Sequence, residues 1–336
     1  MKIAICGLGR IGRALIRSII NSNMDFEITE LIDIEENFDN LIYLLNYDSV
    51  YGSLSPKISI TNNKVIGKNL NAKYLMESNY INLNWKNLDF EILVDCSGIK
   101  RNWDDIKKKS NLFSKKVFIS HHPDNFPGEF LLEIYNNNNN KGNLFATSIC
   151  DAVGIAPVIT SLQRFVSINS ISVISLHPWL SYQNLVDGTI RSIANPGHSW
   201  SDYALGRASP NTLIPKNTSI TKVLKELYPD IESINSLSFR VPTSISTSAI
   251  LHIQSSEFEN MSKEEIVESL YPSLIDNVFS LSYESLVSID FKSKPEASII
   301  DGRFIEKVSK DILKIVVWYD NERGYSESLL RRIYSN

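Results

Sequence analysis

Three glycines and one aspartate near the start of the chain have the types and spacing that bind a dinucleotide. Gly7, Gly9 and Gly12 follow a short apolar run, and Asp33 comes about 20 residues after the last of them. Such glycines permit a tight turn, close approach of a pyrophosphate and close packing of a helix on a strand. An acidic group at Asp33 would bind a ribose diol and repel a 2′-phosphate, which favours NAD over NADP. The alternative is a glycine turn in some other α/β protein.

A cysteine and a histidine further along the chain could perform nucleophilic catalysis. Cys150 stands where a loop is expected to run into a helix, and a helix N-terminus stabilises a thiolate. Asp151 suits a first helical turn, although its charge opposes a thiolate. His177 ends an alternating segment, from which it could take the thiol proton. The alternatives are a buried core cysteine and a hydrogen-bonded structural histidine. The rival histidines are His121, His122, His198 and His252.

The elements that would position these residues begin with a β-α-β unit. Residues 2–6 predict a strand buried on both faces, residues 14–20 have helical spacing, and residues 26–33 predict a second strand. Residues 90–96 and 116–120 are further candidates for buried strands. Strands that alternate with helical patterns predict a Rossmann-type, doubly wound parallel sheet, and hence an α/β fold.

The pattern changes near residue 150. Residues 171–176 and 244–253 alternate Ser or Thr with apolar residues, which predicts a largely antiparallel sheet with one polar face. We therefore expect a dinucleotide-binding domain over residues 1–149 and an α+β catalytic domain over residues 150–317. The asparagine run at 136–140 predicts a surface loop.

Composition excludes several classes of protein. The 336 residues are 43% hydrophobic and 21% charged, as in globular proteins and unlike disordered ones. A net charge of −4 gives no electrostatic reason to bind nucleic acid. Three cysteines without zinc spacing predict no disulfide framework and no metal site, and they suit a reducing compartment. Because the N-terminal apolar run is broken at Gly7 and no later run is long enough to span a membrane, we expect a cytoplasmic protein.

Several motifs in order make the chain resemble the glyceraldehyde-3-phosphate dehydrogenase family from end to end. They are GLGRIGR at 7–13, YDSVYG at 47–52, DCSG at 95–98, Ile-Ala-Pro at 155–157 after the cysteine, FRVPT at 239–243 and WYDNERGYS at 318–326. The erythrose-4-phosphate dehydrogenase branch is also similar, through residues 286–291 and 299–302.

The resemblance implies NAD-dependent oxidation of a sugar aldehyde. Cys150 would attack the aldehyde to form a thiohemiacetal, His177 would take the proton, and hydride transfer would leave a thioester that inorganic phosphate releases. The implied cofactor-binding residues are Gly7, Gly9, Arg10, Ile11, Gly12, Asp33, Ser97, Gly98, Ser120 and Asn321. The implied phosphate-binding residues are Thr218, Ser219 and Arg240. The resemblance also implies a homotetramer and an S-shaped loop at 196–215. It further implies a C-terminal helix over 318–336 that completes the first domain by packing residues 326–334 onto it.

The departures from the family pattern lie where anions are expected to bind. The family's serine and threonine beside the cysteine are Ile149 and Asp151 here. A carboxylate about 4–5 Å from a phosphate charge costs about 3–4 kcal/mol at an effective dielectric near 20. A threonine and an aspartate expected after the histidine are absent, and the segment reads Leu180-Ser181-Tyr182. Smaller departures are Leu205 for an arginine (with Arg207 kept), Ser219 for a glycine and Cys6 for an asparagine.

The sequence therefore leaves three hypotheses. The first is a phosphorylating dehydrogenase with a rearranged phosphate site. The second is a non-phosphorylating dehydrogenase of a different aldehyde in a specialised sugar pathway, in which water or another nucleophile releases the thioester. The third is a non-catalytic NAD-binding or regulatory relative. The third is opposed by four retained residues together, Cys150, His177, Asn321 and Arg240. Ile149 and Asp151 favour the second without deciding between the first two.

Overall fold

The computed structural model describes residues 1–62, 64–108, 115–131, 142–190 and 201–335. The asparagine run at 136–140, His198 and residues 196–200 of the expected S-shaped loop lie outside these described residues. Among the helices of the described ranges, none is long and apolar enough to cross a membrane.

The elements follow one another in two groups, each with its own large sheet, and two short strands of the first group, Tyr47–Asp48 and Gly52–Ser53, form a separate two-stranded sheet. The helices are α1 (Arg10–Asn21), α2 (Phe38–Asn46), α3 (Lys100–Lys108), α4 (Cys150–Leu162), α5 (Ile220–Leu227), α6 (Lys263–Leu270) and α7 (Arg323–Ser335). The strands are β1 (Lys2–Cys6), β2 (Glu27–Asp33), β3 (Tyr47–Asp48), β4 (Gly52–Ser53), β5 (Ser59–Thr61), β6 (Lys64–Gly67), β7 (Leu70–Met76), β8 (Ile92–Asp95), β9 (Lys116–Ile119), β10 (Glu129–Phe130), β11 (Leu144–Ala146), β12 (Ser170–Pro178), β13 (Ile214–Lys216), β14 (Ser233–Val241), β15 (Thr247–Gln254), β16 (Phe279–Ser282), β17 (Ser298–Asp301), β18 (Glu306–Lys307) and β19 (Ile312–Tyr319).

The first sheet has the order β10-β11-β9-β8-β1-β2-β7-β6-β5. Its strands run parallel from β10 to β7, and β6 and β5 complete it in antiparallel fashion. Strand β1 is central and pairs with both β2 and β8, so its side chains are buried as the unbroken apolar run predicts. Because strand order reverses at β1, a crevice forms at its carboxyl end, where the glycine motif lies.

The second sheet has the order β13-β14-β12-β15-β19-β17-β16, with β18 paired to β19. Most neighbours are antiparallel, whereas β12 with β14 and β16 with β17 are parallel. The two sheets confirm the expected α/β fold with a largely antiparallel second sheet. Strand β15 begins at Thr247, three residues later than predicted, because Ser246 adopts a positive φ of 69° that interrupts the extended backbone.

The C-terminal helix α7 returns to the first sheet. It begins at Arg323 and not at residue 318, because Trp318 and Tyr319 end strand β19. The carboxylate of Asp320 accepts hydrogen bonds from the backbone N–H groups of Glu322 and Arg323, which start the helix. The apolar residues of α7 share a core cluster with α1, each fully buried one contributing about 1.5–3 kcal/mol. These residues are Leu329, Leu330 and Ile333, against Leu15, Ile16 and Ile19.

Candidate active site

The predicted cysteine and histidine meet between the two sheets. Cys150 is the first residue of α4, and its Sγ lies 3.6 Å from Nε2 of His177. His177 is buried near the end of β12, and its Nδ1 donates to the carbonyl oxygen of Pro178 over 2.7 Å. Since that bond occupies the Nδ1 proton of a neutral imidazole, Nε2 is left as an acceptor that faces the thiol. The arrangement suits proton transfer from Cys150 to His177.

The loop before Cys150 is held from the C-terminal helix. Ser148 has a φ of 63°, a left-handed conformation that costs a residue other than glycine about 1–3 kcal/mol. The hydroxyl of Tyr325, on α7, donates to the Ser148 carbonyl over 2.8 Å and lies 2.7 Å from Oγ1 of Thr147. The Ser148 hydroxyl also lies 3.0 Å from Nδ1 of His122. These contacts fix the turn that presents the thiol.

Asp151 points toward the same pair. It is 7% exposed, and its Oδ1 accepts a 2.6 Å hydrogen bond from the hydroxyl of the buried Tyr319. The ligand-type atoms of Cys150, Asp151 and His177 lie within 4.8 Å of one another. A side chain at Gly154 would meet the Tyr319 ring at 2.4 Å, so that glycine lets the ring reach the start of α4. The departure at residue 151 therefore places a negative charge beside the thiol.

The charges around the pair set its resting protonation state. Burial raises the pKa of the Cys150 thiol, and Asp151 raises it further, while Arg240 and the N–H groups at the start of α4 lower it. Burial lowers the pKa of His177 to about 4, and Arg240 lowers it as well, against opposing effects of Asp151 and the Pro178 carbonyl. At neutral pH the pair rests as thiol and neutral imidazole. Burial and Asp151 thus outweigh the thiolate stabilisation expected from the helix N-terminus.

A cavity of about 880 Å³ joins the thiol to the glycine motif. The predicted cofactor-binding residues on its wall are Gly9, Arg10, Ile11, Ser97, Ser120 and Asn321. The side-chain Oδ1 of Asn321 is buried and lacks a hydrogen-bond partner among the described residues. A buried acceptor of this kind suits a carboxamide N–H donor. Asn321 therefore fits the nicotinamide end of a dinucleotide.

The glycine motif has the shape that a dinucleotide requires. Gly7 has a φ of 83°, and a Cβ there would lie 2.4 Å from the backbone of Ser97. A Cβ at Gly12 would lie 2.0 Å from the Gly7 carbonyl oxygen, so the helix could not pack as closely with any other residue. At Gly9 a Cβ would meet no atom within 4 Å, which leaves open space for a pyrophosphate beside the start of α1.

Asp33 lies at the end of β2, on the wall of a second cavity of about 260 Å³. Its carboxylate accepts hydrogen bonds from the N–H groups of Leu8, Ile34 and Glu35. Ser97 lines both cavities, and its hydroxyl donates to Asp95 over 2.6 Å. This second cavity suits the adenosine half of a dinucleotide, with the acidic group where a ribose diol would lie.

Two predicted cofactor residues shape the backbone, and a third, Arg10, links two motifs as well as lining the cavity. Gly98 has a φ of 65° in the turn after β8, and Gly12 packs α1 on β1. The guanidinium of Arg10 is held by Asp48 at 2.5 Å and by Glu322 at 2.5 Å. Arg10 therefore joins the YDSVYG and WYDNERGYS segments, which are far apart in the sequence.

The predicted phosphate residues line the same cavity as Cys150. They are Thr218 and Ser219 before helix α5, and Arg240 on β14. Arg240 is 6% exposed, and its Nε has no hydrogen-bond partner among the described residues. Sequence reasoning missed Lys216, which lines the cavity two residues before Thr218. It noted Tyr182 only as the place of a lost aspartate. The sequence of this three-residue strand has no signal for the place of Lys216, because its position on the face of Arg240 depends on strand register.

The rival histidines occupy other places. His121 lines the cavity, and His122 bridges Ser148 and Glu226, with its Nε2 2.9 Å from the glutamate. His252 lies within β15, in register with Ser172 and Lys314. Of the histidines in the described ranges, His177 is the one whose ring nitrogen lies within hydrogen-bond distance of Cys150 Sγ.

Two family models match most of the chain. The model described as "Glyceraldehyde 3-phosphate dehydrogenase, NAD binding domain" matches residues 1–102. The model described as "Glyceraldehyde 3-phosphate dehydrogenase, C-terminal domain" matches residues 149–321. These ranges include the glycine motif, Cys150 and His177.

Curated relatives match along nearly the whole chain at low identity. A glyceraldehyde-3-phosphate dehydrogenase 1 from Kluyveromyces lactis is 25% identical over 334 residues, which cover 98% of each chain. A glyceraldehyde-3-phosphate dehydrogenase from Chlamydia trachomatis is 26% identical over 333 residues, covering 98% of this chain and 97% of the relative. A glyceraldehyde-3-phosphate dehydrogenase 2 from Staphylococcus aureus is 26% identical over 336 residues, covering 98% and 94%.

Proposed function

Because the chain belongs to the glyceraldehyde-3-phosphate dehydrogenase family, we propose that it oxidises glyceraldehyde 3-phosphate or a similar sugar phosphate, with Cys150 as nucleophile and His177 as base. The chain is an NAD-dependent oxidoreductase that acts on an aldehyde group, and the resemblance stated from its motifs is confirmed. The observation that carries the roles of the two residues is the 3.6 Å approach of Sγ to Nε2 on the wall of a cavity that reaches the glycine motif.

In the first half of the reaction, Sγ attacks the aldehyde carbon while the thiol proton passes to Nε2 of His177. The imidazolium returns that proton to the carbonyl oxygen, which gives a thiohemiacetal on Cys150. His177 then takes the hydroxyl proton as the carbon is oxidised to a thioester. Bound NAD supplies the acceptor for the hydride that leaves this carbon. A histidine with a low pKa and a bound Nδ1 suits this work, because it presents a neutral Nε2 in the resting protein.

In the second half, we propose that inorganic phosphate attacks the thioester carbon and the Cys150 thiolate leaves. Thr218, Ser219 and Arg240 are the residues proposed to hold the phosphate oxygens, since hydroxyl donors and a guanidinium on one cavity wall suit an oxyanion. Asp151 opposes an anion close to the thiol, so the attacking phosphate is expected to bind weakly.

The two other hypotheses are not favoured by the relatives. Each relative described above is named a glyceraldehyde-3-phosphate dehydrogenase, and none of those names describes a non-phosphorylating or non-catalytic protein. The carboxylate of Asp151 lies beside the thiol, where it would repel an attacking phosphate. For this reason the step in which phosphate releases the thioester needs a direct test.

We propose the same assembly and location as the sequence predicts, a homotetramer in the cytoplasm. Leu176 and Leu237 expose apolar surface on neighbouring strands β12 and β14, which supports burial against another chain. Cys6, Cys96 and Cys150 are unpaired, as suits a reducing compartment. The proposed domain boundary at residues 149 and 150 is supported by the first sheet's last strand ending at Ala146.

The test is an absorbance assay for NADH. The protein is mixed with NAD and glyceraldehyde 3-phosphate or erythrose 4-phosphate, with and without phosphate or arsenate. NADH production that depends on phosphate or arsenate supports the proposal. Production that is independent of both would overturn the phosphate step, and no NADH from either aldehyde alongside measurable NAD binding would overturn the substrate.

A further inference from the structure

The strand register collects basic residues on one face of the second sheet. Arg240 of β14 is in register with His177 of β12 on one side and with Ile214 of β13 on the other. Lys216 is two residues from Ile214 and opposite Ser238, which is two residues from Arg240. Because alternate residues of a strand share a face, His177, Arg240 and Lys216 project from the same side of the sheet. All three line the cavity.

The distance between the strands limits the length of a substrate that could extend from Cys150 to Lys216. Neighbouring strands are about 5 Å apart, so β13 lies about 10 Å from the strand that carries His177. A short aldehyde whose carbonyl carbon is at Cys150 can therefore extend across β14 toward Lys216. Its far end would pass Arg240 before it reaches the lysine.

Arg240 has hydrogen-bonding capacity on the cavity wall that the described residues do not use. It is 6% exposed, and its Nε has no partner among the described residues. Its Nη2 reaches the hydroxyl of Tyr182 only at 3.5 Å, which is the limit of a hydrogen bond. A buried guanidinium with unused donors on a cavity wall is a binding group for a planar or tetrahedral oxyanion.

Tyr182 brings a hydroxyl to the same two cations. Gln183 fastens its loop, because the Leu180 N–H donates to Gln183 Oε1 over 2.9 Å and the Gln183 N–H donates to the Leu180 carbonyl over 2.9 Å. Burial raises the pKa of the Tyr182 phenol, yet the nearby charges of Arg240 and Lys216 make the net shift a lowering. The phenol is thus in an electropositive environment.

We propose that Lys216 and Tyr182, together with Arg240, form the subsite that holds a phosphate dianion at the far end of a short aldehyde substrate, with Lys216 as its specificity-determining residue. Two cations and one hydroxyl match the charge and the several oxygens of a phosphate dianion better than those of a neutral or singly charged group. This inference rests on the proposed function, because it assumes that the aldehyde reacts at Cys150.

The same phosphate chemistry could come from the attacking phosphate, so kinetics must separate the two. We would compare wild type with Lys216→Met, Lys216→Arg and Tyr182→Phe for glyceraldehyde 3-phosphate, unphosphorylated glyceraldehyde and inorganic phosphate. Lys225→Met is the matched control, since Lys225 is an exposed lysine on nearby α5 that does not line the cavity.

Lys216→Met is expected to raise the KM for glyceraldehyde 3-phosphate about tenfold or more, the value of one charge-assisted hydrogen bond. It should change kcat/KM for glyceraldehyde and the KM for inorganic phosphate by less than about twofold, and Lys216→Arg should restore most of the loss. Tyr182→Phe should raise the sugar-phosphate KM a few-fold. Equal losses with both aldehydes, or a loss confined to inorganic phosphate, would overturn the proposal.

A binding measurement separates failure of this inference from failure of the proposed function. Calorimetry would compare glycerol 3-phosphate, which has no aldehyde, with glycerol on the NAD-loaded protein. Wild type is expected to prefer the phosphate compound, and Lys216→Met should lose about tenfold of that preference. If this result holds while no aldehyde is oxidised, the subsite stands and the proposed reaction falls. If glycerol 3-phosphate binds equally to both proteins, the subsite falls whatever the enzyme oxidises.

Discussion

The nucleotide side and the substrate side of the cavity are built from different materials. The nucleotide side consists of glycines and backbone N–H groups at the end of β1 and the start of α1, together with Asp33. The substrate side consists of side chains from several separate elements, which are α4, β12, β13 and β14. The first arrangement keeps the pattern of its family, whereas the second has an altered set of charges.

The two sides differ because substitutions are tolerated less on the nucleotide side than on the substrate side. A residue that replaces Gly7 or Gly12 would collide with backbone atoms at 2.0–2.4 Å, so the nucleotide side admits few changes. On the substrate side, one side chain can take over the role of another from a neighbouring strand. Charge can therefore differ there without a change of fold, as Asp151 in place of the family's threonine and Tyr182 in place of its aspartate illustrate.

The largest effect that separates the nucleotide side from the substrate side is expected from Cys150→Ser. If the two sides are independent, this change should abolish aldehyde oxidation, by at least about 10⁴-fold, because the hydroxyl is a far weaker nucleophile than the thiol. NAD affinity, measured by calorimetry, should change by less than about twofold, because Sγ is not part of the nucleotide wall.

Retained turnover in Cys150→Ser would end the assignment of the nucleophile. Loss of NAD binding together with turnover would show that the two sides do not act independently. Cys6→Ser is the matched control for a thiol-to-hydroxyl change away from the chemistry, since that side chain is fully buried in the first sheet and lines neither cavity.

The next largest effect is expected from His177→Asn. It should slow thioester formation in a single turnover by about 10²–10⁴-fold, the contribution of a well-placed acid–base group. Because the pKa of His177 is lowered to about 4, the imidazole becomes protonated only near that pH, well below the ordinary histidine range. The wild-type rate should therefore fall on acidification only near pH 4. An unchanged rate would mean that another histidine serves as the base, and His252→Asn provides the comparison within β15.

The nucleotide side could be predicted because its contacts are local in sequence. The turn at Gly7, the packing of Gly12 on Gly7 and the return at Asp33 all fall within one β-α-β unit. Strand β1 was predicted with its observed bounds, since a strand buried on both faces has an unbroken apolar sequence. The spacing of the glycines and of Asp33 therefore predicts both the local backbone geometry and the binding of a dinucleotide.

The substrate side could be predicted only in part. Cys150, His177 and Arg240 came from motifs, and the structure brings them to one cavity. The bond from Tyr319 to Asp151 joins residues 168 positions apart, and Lys216 meets Arg240 through strand register. Neither relation has a signal in one sequence, because register and the pairing of distant strands are decided by packing of the whole domain.

The smallest effect concerns the charge that most distinguishes the substrate side. Asp151→Asn keeps an acceptor for the Tyr319 hydroxyl but removes the negative charge that raises the pKa of the Cys150 thiol. The thiol pKa should therefore fall, which increases the thiolate fraction, and hence the alkylation rate by iodoacetamide, by about tenfold at any pH below that pKa. The rate is measured by mass spectrometry on the peptide that contains Cys150, because Cys96 also lines the cavity.

Glu259→Gln is the control for this last change, since it removes the same charge from an exposed surface pair with Lys310. It should leave the pH dependence of alkylation unchanged. If Asp151→Asn and Glu259→Gln gave the same profile, Asp151 would not control the thiol, and the altered charge would matter only to incoming anions. A shift with Asp151→Asn alone would mean that this one substitution beside the nucleophile controls the ionisation of the thiol, whereas the loss of an equal charge on the surface does not.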